Sequence, residues 1–67
     1  VRIRSKSRHH FLGTHKGAEI AIEREKDGRF YIQVTHADGC YLYDGWAPES
    51  VHTIREAKRE ALRGAML

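Results

Sequence analysis

Polar and apolar positions alternate in three stretches of this chain, with the period of two that a half-buried β-strand shows. Glu19-Ile20-Ala21-Ile22-Glu23 is the first. Arg29 to His36 repeats the pattern, with Phe30, Ile32 and Val34 on one side and Tyr31, Gln33 and Thr35 on the other. Cys40 to Tyr43 gives it again and sets Cys40 and Leu42 against Tyr41 and Tyr43. Lys26-Asp27-Gly28 and Ala37-Asp38-Gly39 separate the three runs, and glycine accepts the positive φ that a tight reversal requires. Register then selects the loop length. Three-residue loops place Glu25 opposite Arg29 and His36 opposite Cys40, so that Ile22 faces Ile32, Ile20 faces Val34 and Val34 faces Leu42 on one side. Two-residue loops would set Ile22 against Gln33 and mix the faces, which a one-sided core forbids.

An earlier strand is expected at about His9 to Thr14, turning through His15-Lys16-Gly17 into Ala18, with either Phe11 or Leu12 facing inward. Beyond Tyr43, strict alternation would drive the Asp44 carboxylate toward the core, so the third strand should bulge or end there. Trp46 reads as a core plug. Thr53-Ile54-Arg55-Glu56 matches a capping box, with Ser50 as a rival cap one turn earlier. Ile54, Ala57, Ala61 and Ala65 recur at helical spacing with Leu62 beside them, and their small side chains let a helix lie close to a sheet. The expected fold is α+β: a three- or four-stranded antiparallel meander packed on one face by a single C-terminal α-helix.

Sixty-seven residues make one small domain. A chain this short buries about 60% of the surface its unfolded form exposes, which argues against a deep cleft and a multistep enzyme. At 40% hydrophobic and 31% charged it reads as a compact fold rather than a disordered chain. No apolar run reaches the roughly 18 residues of a bilayer span, and the basic start has no apolar stretch behind it to make a secretory signal. Cys40 is the single cysteine, so no internal disulfide can form, and a reducing cytoplasm is the expected compartment.

Charge divides the chain. Residues 1–16 carry Arg2, Arg4, Lys6, Arg8 and Lys16 against no acid, or +5. Residues 17–49 set three bases against seven acids, or −4, and residues 50–67 set four bases against two acids, or +2. Residues 1–8 therefore form a basic arm ahead of a domain at 9–67. The arm is either a flexible tail or, from its alternation, an edge strand with a basic side. Such an arm can neutralise phosphates and gain affinity from counterion release. One helix covers one face of a sheet, which leaves Tyr31, Gln33, Thr35, Tyr41 and Tyr43 on the other, with Arg29 near a turn. Tyrosines there could stack on bases or anchor a protein, and Gln33 and Thr35 could read base edges. Glu19 and Glu23 on the same face repel phosphate. The helix stripe Arg55, Arg59 and Arg63 is an ordinary solvated face or a further phosphate contact.

Gly28-Arg29-Phe30-Tyr31-Ile32-Gln33-Val34, Asp38-Gly39-Cys40-Tyr41-Leu42-Tyr43 and Thr53-Ile54-Arg55-Glu56-Ala57 follow one another in an order that resembles phage integrase N-terminal domains. The order is also similar to that of plant ethylene-response-type domains. The resemblance covers about residues 18–65 and implies a three-stranded sheet that enters the DNA major groove ahead of one helix. Those families carry several Arg or Lys side chains on the DNA-facing strands. Here Arg29 alone stands at such a place, and Tyr31, Gln33, Thr35, Tyr41 and Tyr43 fill the others.

Enzymatic chemistry has thinner support. His36 and Cys40 should face each other across the second hairpin, but a zinc site needs four ligands, or three and a water, so an ordinary cross-strand pair is expected and no metal or other cofactor. Ser7-Arg8-His9-His10-Phe11 resembles the Ser-His-His segment of HicA-type RNase toxins, with Arg8 interposed and without the helix that precedes it there. The expectation is a non-enzymatic nucleic-acid-binding module, DNA ahead of RNA. Its contacts would be Arg2, Arg4, Lys6, Arg8, Arg29, Tyr31, Gln33, Thr35, Tyr41 and Tyr43. The alternative is a protein-interaction or homodimerisation module acting through the tyrosine face, with no membrane partner.

Overall fold

Five antiparallel strands and one helix are formed by the described residues. The computed structural model describes residues 2–7 and 9–67, with Arg2 described in its backbone. The strands are β1 (Arg2–Lys6), β2 (His10–His15), β3 (Ala18–Arg24), β4 (Phe30–Thr35) and β5 (Tyr41–Trp46), followed by α1 (Ile54–Gly64). They lie in the order β1-β2-β3-β4-β5, an unbroken meander with α1 on one face. The class is the expected α+β, but the sheet has five strands rather than three or four, because residues 2–6 and 10–15 both pair into it.

The turns follow from their glycines. Gly28 and Gly39 adopt φ +90° and +93°, and the loops close with Glu25 N–H donating to Arg29 and His36 N–H donating to Cys40, the three-residue connections expected. Lys16 and Gly17 both have positive φ, so β2 and β3 join through a two-residue turn of the kind that suits the strand twist. Asp27 and Asp38 each accept the backbone N–H two residues on, from Arg29 and Cys40. The Cys40 N–H holds the Asp38 carboxyl below its ordinary range.

Phe11, Ala18, Ile20, Ile22, Phe30, Ile32 and Val34 form the buried side of the sheet, and Ala57 and Ala61 of α1, with Ala65 at its C-cap, join them in the core. Ile22 opposes Ile32 and Ile20 opposes Val34, as the alternation requires. Phe11, not Leu12, is the inward residue of β2 and opposes Ile22. Thr53 caps the helix: its hydroxyl accepts from Glu56 N–H at 3.1 Å, while the Glu56 carboxylate accepts from His52 N–H at 3.1 Å. That backbone donor is the main cause of the lowered Glu56 pKa.

β5 departs from simple alternation. Thr35 pairs with Tyr41, but Val34 pairs with Tyr43 and not with the expected Leu42, which is the extra residue of a bulge. Leu42 and Tyr43 both pack against the core. Asp44 thereby turns to the open face and Gly45 takes the core side opposite Ile32. Without the bulge a carboxylate would point under the helix, where its desolvation would cost several kcal/mol, on the order of that for other unpaired charges. The break that Asp44 called for does occur, two residues earlier than the aspartate itself. Two placements are corrected as a result. Tyr43 lies on the helix side and not on the open face, donating its hydroxyl to Glu60 at 3.0 Å. Trp46 is not a core plug but is 46% exposed on the open face, opposite Tyr31.

Candidate functional site

The face that α1 leaves uncovered is ordered by the register into three rows of side chains. One end carries Thr14, Glu19, Thr35 and Tyr41 across β2 to β5. Leu12, Ala21, Gln33 and Asp44 form the middle row. His10, Glu23, Tyr31 and Trp46 form the other end. The open-face residues of β2 and β4 are half-buried, Glu19 and Glu23 of β3 are exposed, and so are Tyr41, Asp44 and Trp46 at the β5 margin.

That margin holds the most organised group. The Tyr31 and Trp46 rings meet edge to face, with centroids 5.1 Å apart at 89°. The Arg29 guanidinium lies 5.2 Å from the Trp46 ring centroid, within cation–π range. Asp44 Oδ1 accepts the Tyr31 hydroxyl at 2.6 Å and Gln33 Nε2 at 3.3 Å. The carboxylate that accepts this bond holds the Tyr31 phenol above its ordinary pKa. Tyr41, 61% exposed, stands at the far corner of the same margin.

The basic residues gather elsewhere. β1 is the opposite edge strand, and a bulge at Arg4 interrupts its pairing between Ile3 and Ser5. Arg4 reaches across the open face to Glu19 at 3.4 Å, whereas Lys6 pairs opposite Phe11, a residue of the helix side. The bulge therefore removes the uniform basic side that alternation suggested. Arg8 lies outside the described residues, and so does the Arg2 side chain. Among the expected contacts, Arg29, Tyr31, Gln33, Thr35 and Tyr41 come together on or beside the β4–β5 margin. Arg4 and Lys6 stand three strands away from β4, and Tyr43 is on the other face. Trp46 and Asp44 were missed by alternation; the awkward inward placement of Asp44 was the one signal that could have found both.

Ser5, Ser7 and His10 form a second polar group. Ser7 Oγ accepts the N–H of His9 and of His10, each at 3.1 Å, which leaves its own proton for His10 Nδ1 at 3.0 Å. The neutral ring then carries its proton on Nε2 and donates it to Ser5 Oγ at 2.6 Å. The bonds of this imidazole to Ser5 of β1 and to Ser7 tie the end of β1 to β2. His36 and Cys40 are both exposed, and His36 Nδ1 lies 3.2 Å from Asp38. Among the described residues no three His, Cys, Asp or Glu side chains group as metal ligands.

A surface groove of about 390 Å³ opens beside the β3–β4 turn. It sets Arg24, Arg29 and His52 against Asp27 and Glu49, a mixed lining that selects no ligand charge. No helix of the described residues is long and apolar enough to cross a membrane. Comparison of the chain with family models, with curated proteins and with solved structures found no match to any of them.

Proposed function

We propose that this chain is a non-enzymatic protein-interaction module that meets its partner through the open face of the sheet. The observation that carries the reading is the Tyr31–Trp46–Arg29 group, with Trp46 and Arg29 exposed and Tyr31 half-buried, braced by Asp44 on a face that no element of the described residues covers. Trp, Tyr and Arg are the residues that dominate binding energy at protein interfaces, and here they are pre-oriented by contacts with one another. Both edge strands are interrupted by bulges, at Arg4 and Leu42, which disfavours partner binding by strand addition and leaves the face.

Nucleic-acid binding, DNA first, is the second reading, favoured by the cations of β1. A duplex that used both those cations and the β4–β5 aromatics would have to pass over Glu19 and Glu23 on β3, where phosphate is repelled. One experiment separates the two. Nuclease-treated extract from the source cells is passed over immobilised protein, in parallel with a gel-shift titration of a mixed-sequence duplex. The interaction module retains a defined protein set that Trp46→Ala loses, with no duplex shift at moderate salt. A duplex shift that fades with salt, and no Trp46-dependent protein, would transfer the function to nucleic acid. The cytoplasmic assignment rests on Cys40 standing alone, and localisation of a tagged full-length protein tests it.

A further inference from the structure

We infer that the open face takes a cationic segment of a partner protein, one that lays Arg or Lys side chains over β3–β5. This rests on the interaction-module reading and names its partner's chemistry. Three carboxylates stand on the face, Glu19, Glu23 and Asp44, and Glu19 meets Arg4 at 3.4 Å in a contact whose two side chains are both more than half exposed. Among the described residues no cation lies within 4.0 Å of Glu23 or of Asp44. These two flank Tyr31: Glu23 opposes it on β3, and Asp44 accepts its hydroxyl from β5. Both hydrogen bonds that Asp44 accepts from described side chains fall on Oδ1, and among the described residues no donor meets Oδ2.

The aromatic margin favours the same ligand. Aromatic faces attract cations, and the Trp46 ring already holds one guanidinium, that of Arg29, at 5.2 Å. Tyr41 offers a second, more exposed ring at the other end of the margin. A cationic side chain placed between them would meet Asp44, and a second one, set beyond Tyr31, would meet Glu23 on β3.

Charge decides among the occupants that could cover the face. A second copy related by a twofold axis through the centre of the face would lay β3 on β3, because β3 is the middle strand of five. Glu19 and Glu23 would then be brought against the same residues of the copy, like charge against like. Phosphate is repelled by the same side chains. A cationic segment is attracted by them and stacks on the rings beside them.

The test is fluorescence anisotropy with three labelled probes: a short arginine–glycine repeat peptide, the same peptide with glutamate for arginine, and a mixed-sequence DNA duplex. The arginine peptide should bind, and Asp44→Asn and Glu23→Gln should each weaken it by about twofold to fivefold, as for exposed ion pairs. Trp46→Ala should weaken it by about tenfold or more. Asp44→Asn keeps an oxygen for the Tyr31 hydroxyl, so its effect reads charge and not folding, and amide spectra check each variant. Equal binding by the carboxylate variants and the unaltered protein would overturn the inference, as would no binding of the arginine peptide. Trp46-dependent binding of the glutamate peptide would overturn it while leaving the interaction module standing. Binding of the duplex alone would overturn both.

Discussion

The two faces of one sheet are built from neighbouring residues of the same strands, yet they do opposite work. Toward α1, β4 presents Phe30, Ile32 and Val34, none more than 1% exposed, against the alanines of the helix. Toward solvent it presents Tyr31, Gln33 and Thr35, polar enough to stay wet and large enough to contact a partner. Among the described residues no polar or charged side chain is buried, so the stability of the domain rests on one apolar layer. The other face is free to carry chemistry that a core would reject. A sheet covered on one side alone thus separates folding from recognition by a single residue of register.

Substitution of adjacent residues is the sharpest way to break that comparison. Ile32→Ala removes a fully buried side chain from a central strand and should cost about 2–5 kcal/mol, enough to unfold much of so small a domain. Gln33→Ala, one residue away, should change stability by about 0.5 kcal/mol or less. Urea unfolding followed by circular dichroism measures both. Similar losses at the two positions would mean that the open face is also part of the core.

Gly64→Ala sharpens the role of Tyr43. In an ordinary helix the change stabilises by up to about 1 kcal/mol, but here the new methyl group would overlap the Tyr43 ring. The ring is held by its bond to Glu60, and Glu60 is in turn bound by Arg63 at 2.9 and 2.7 Å. A destabilisation of about 1–3 kcal/mol is expected from such overpacking, read as a lower thermal midpoint. A raised midpoint would place Tyr43 elsewhere than against the helix. Thr53→Ala should cost about 1 kcal/mol by removing the cap, measured in the same unfolding assay.

Acid should act on the helix at both ends, through Glu56 beside the cap and Glu60 beside Arg63. The His52 N–H lowers the pKa of Glu56, and Arg63 lowers that of Glu60. A carboxyl held lower in the folded than in the unfolded chain contributes stability that is fully present above about pH 4.5. That contribution is lost as pH falls through the folded value. Thermal midpoints measured downward from neutral pH should therefore drop in acid, and Glu56→Gln should flatten the drop. Trp46→Ala should change stability only modestly, by about 1 kcal/mol or less for a half-exposed edge residue, although it should have the largest effect on binding.

Much of the helix side was legible in the sequence. The pairs Ile22–Ile32 and Ile20–Val34 followed from period two, the three-residue loops from Asp-Gly, and the cap from Thr53 and Glu56. The open face was legible through Tyr31, Gln33, Thr35 and Tyr41, and illegible where a bulge shifts the count. Leu42 is an ordinary strand residue, and nothing local marks it as the one left without a partner. The cost of an inward Asp44 required a break near it but did not fix its place, so Tyr43 and Trp46 were assigned to each other's faces. At β1 the bulge at Arg4 had the same effect on the basic alternation.

The most direct test is the amide spectrum of isotope-labelled protein during titration with the arginine–glycine peptide. The account predicts shifts along Glu23, Tyr31, Gln33, Asp44 and Trp46 and the Trp46 indole, with Ala57 and Ala61 unmoved. Shifts centred on α1 with a silent open face would contradict it.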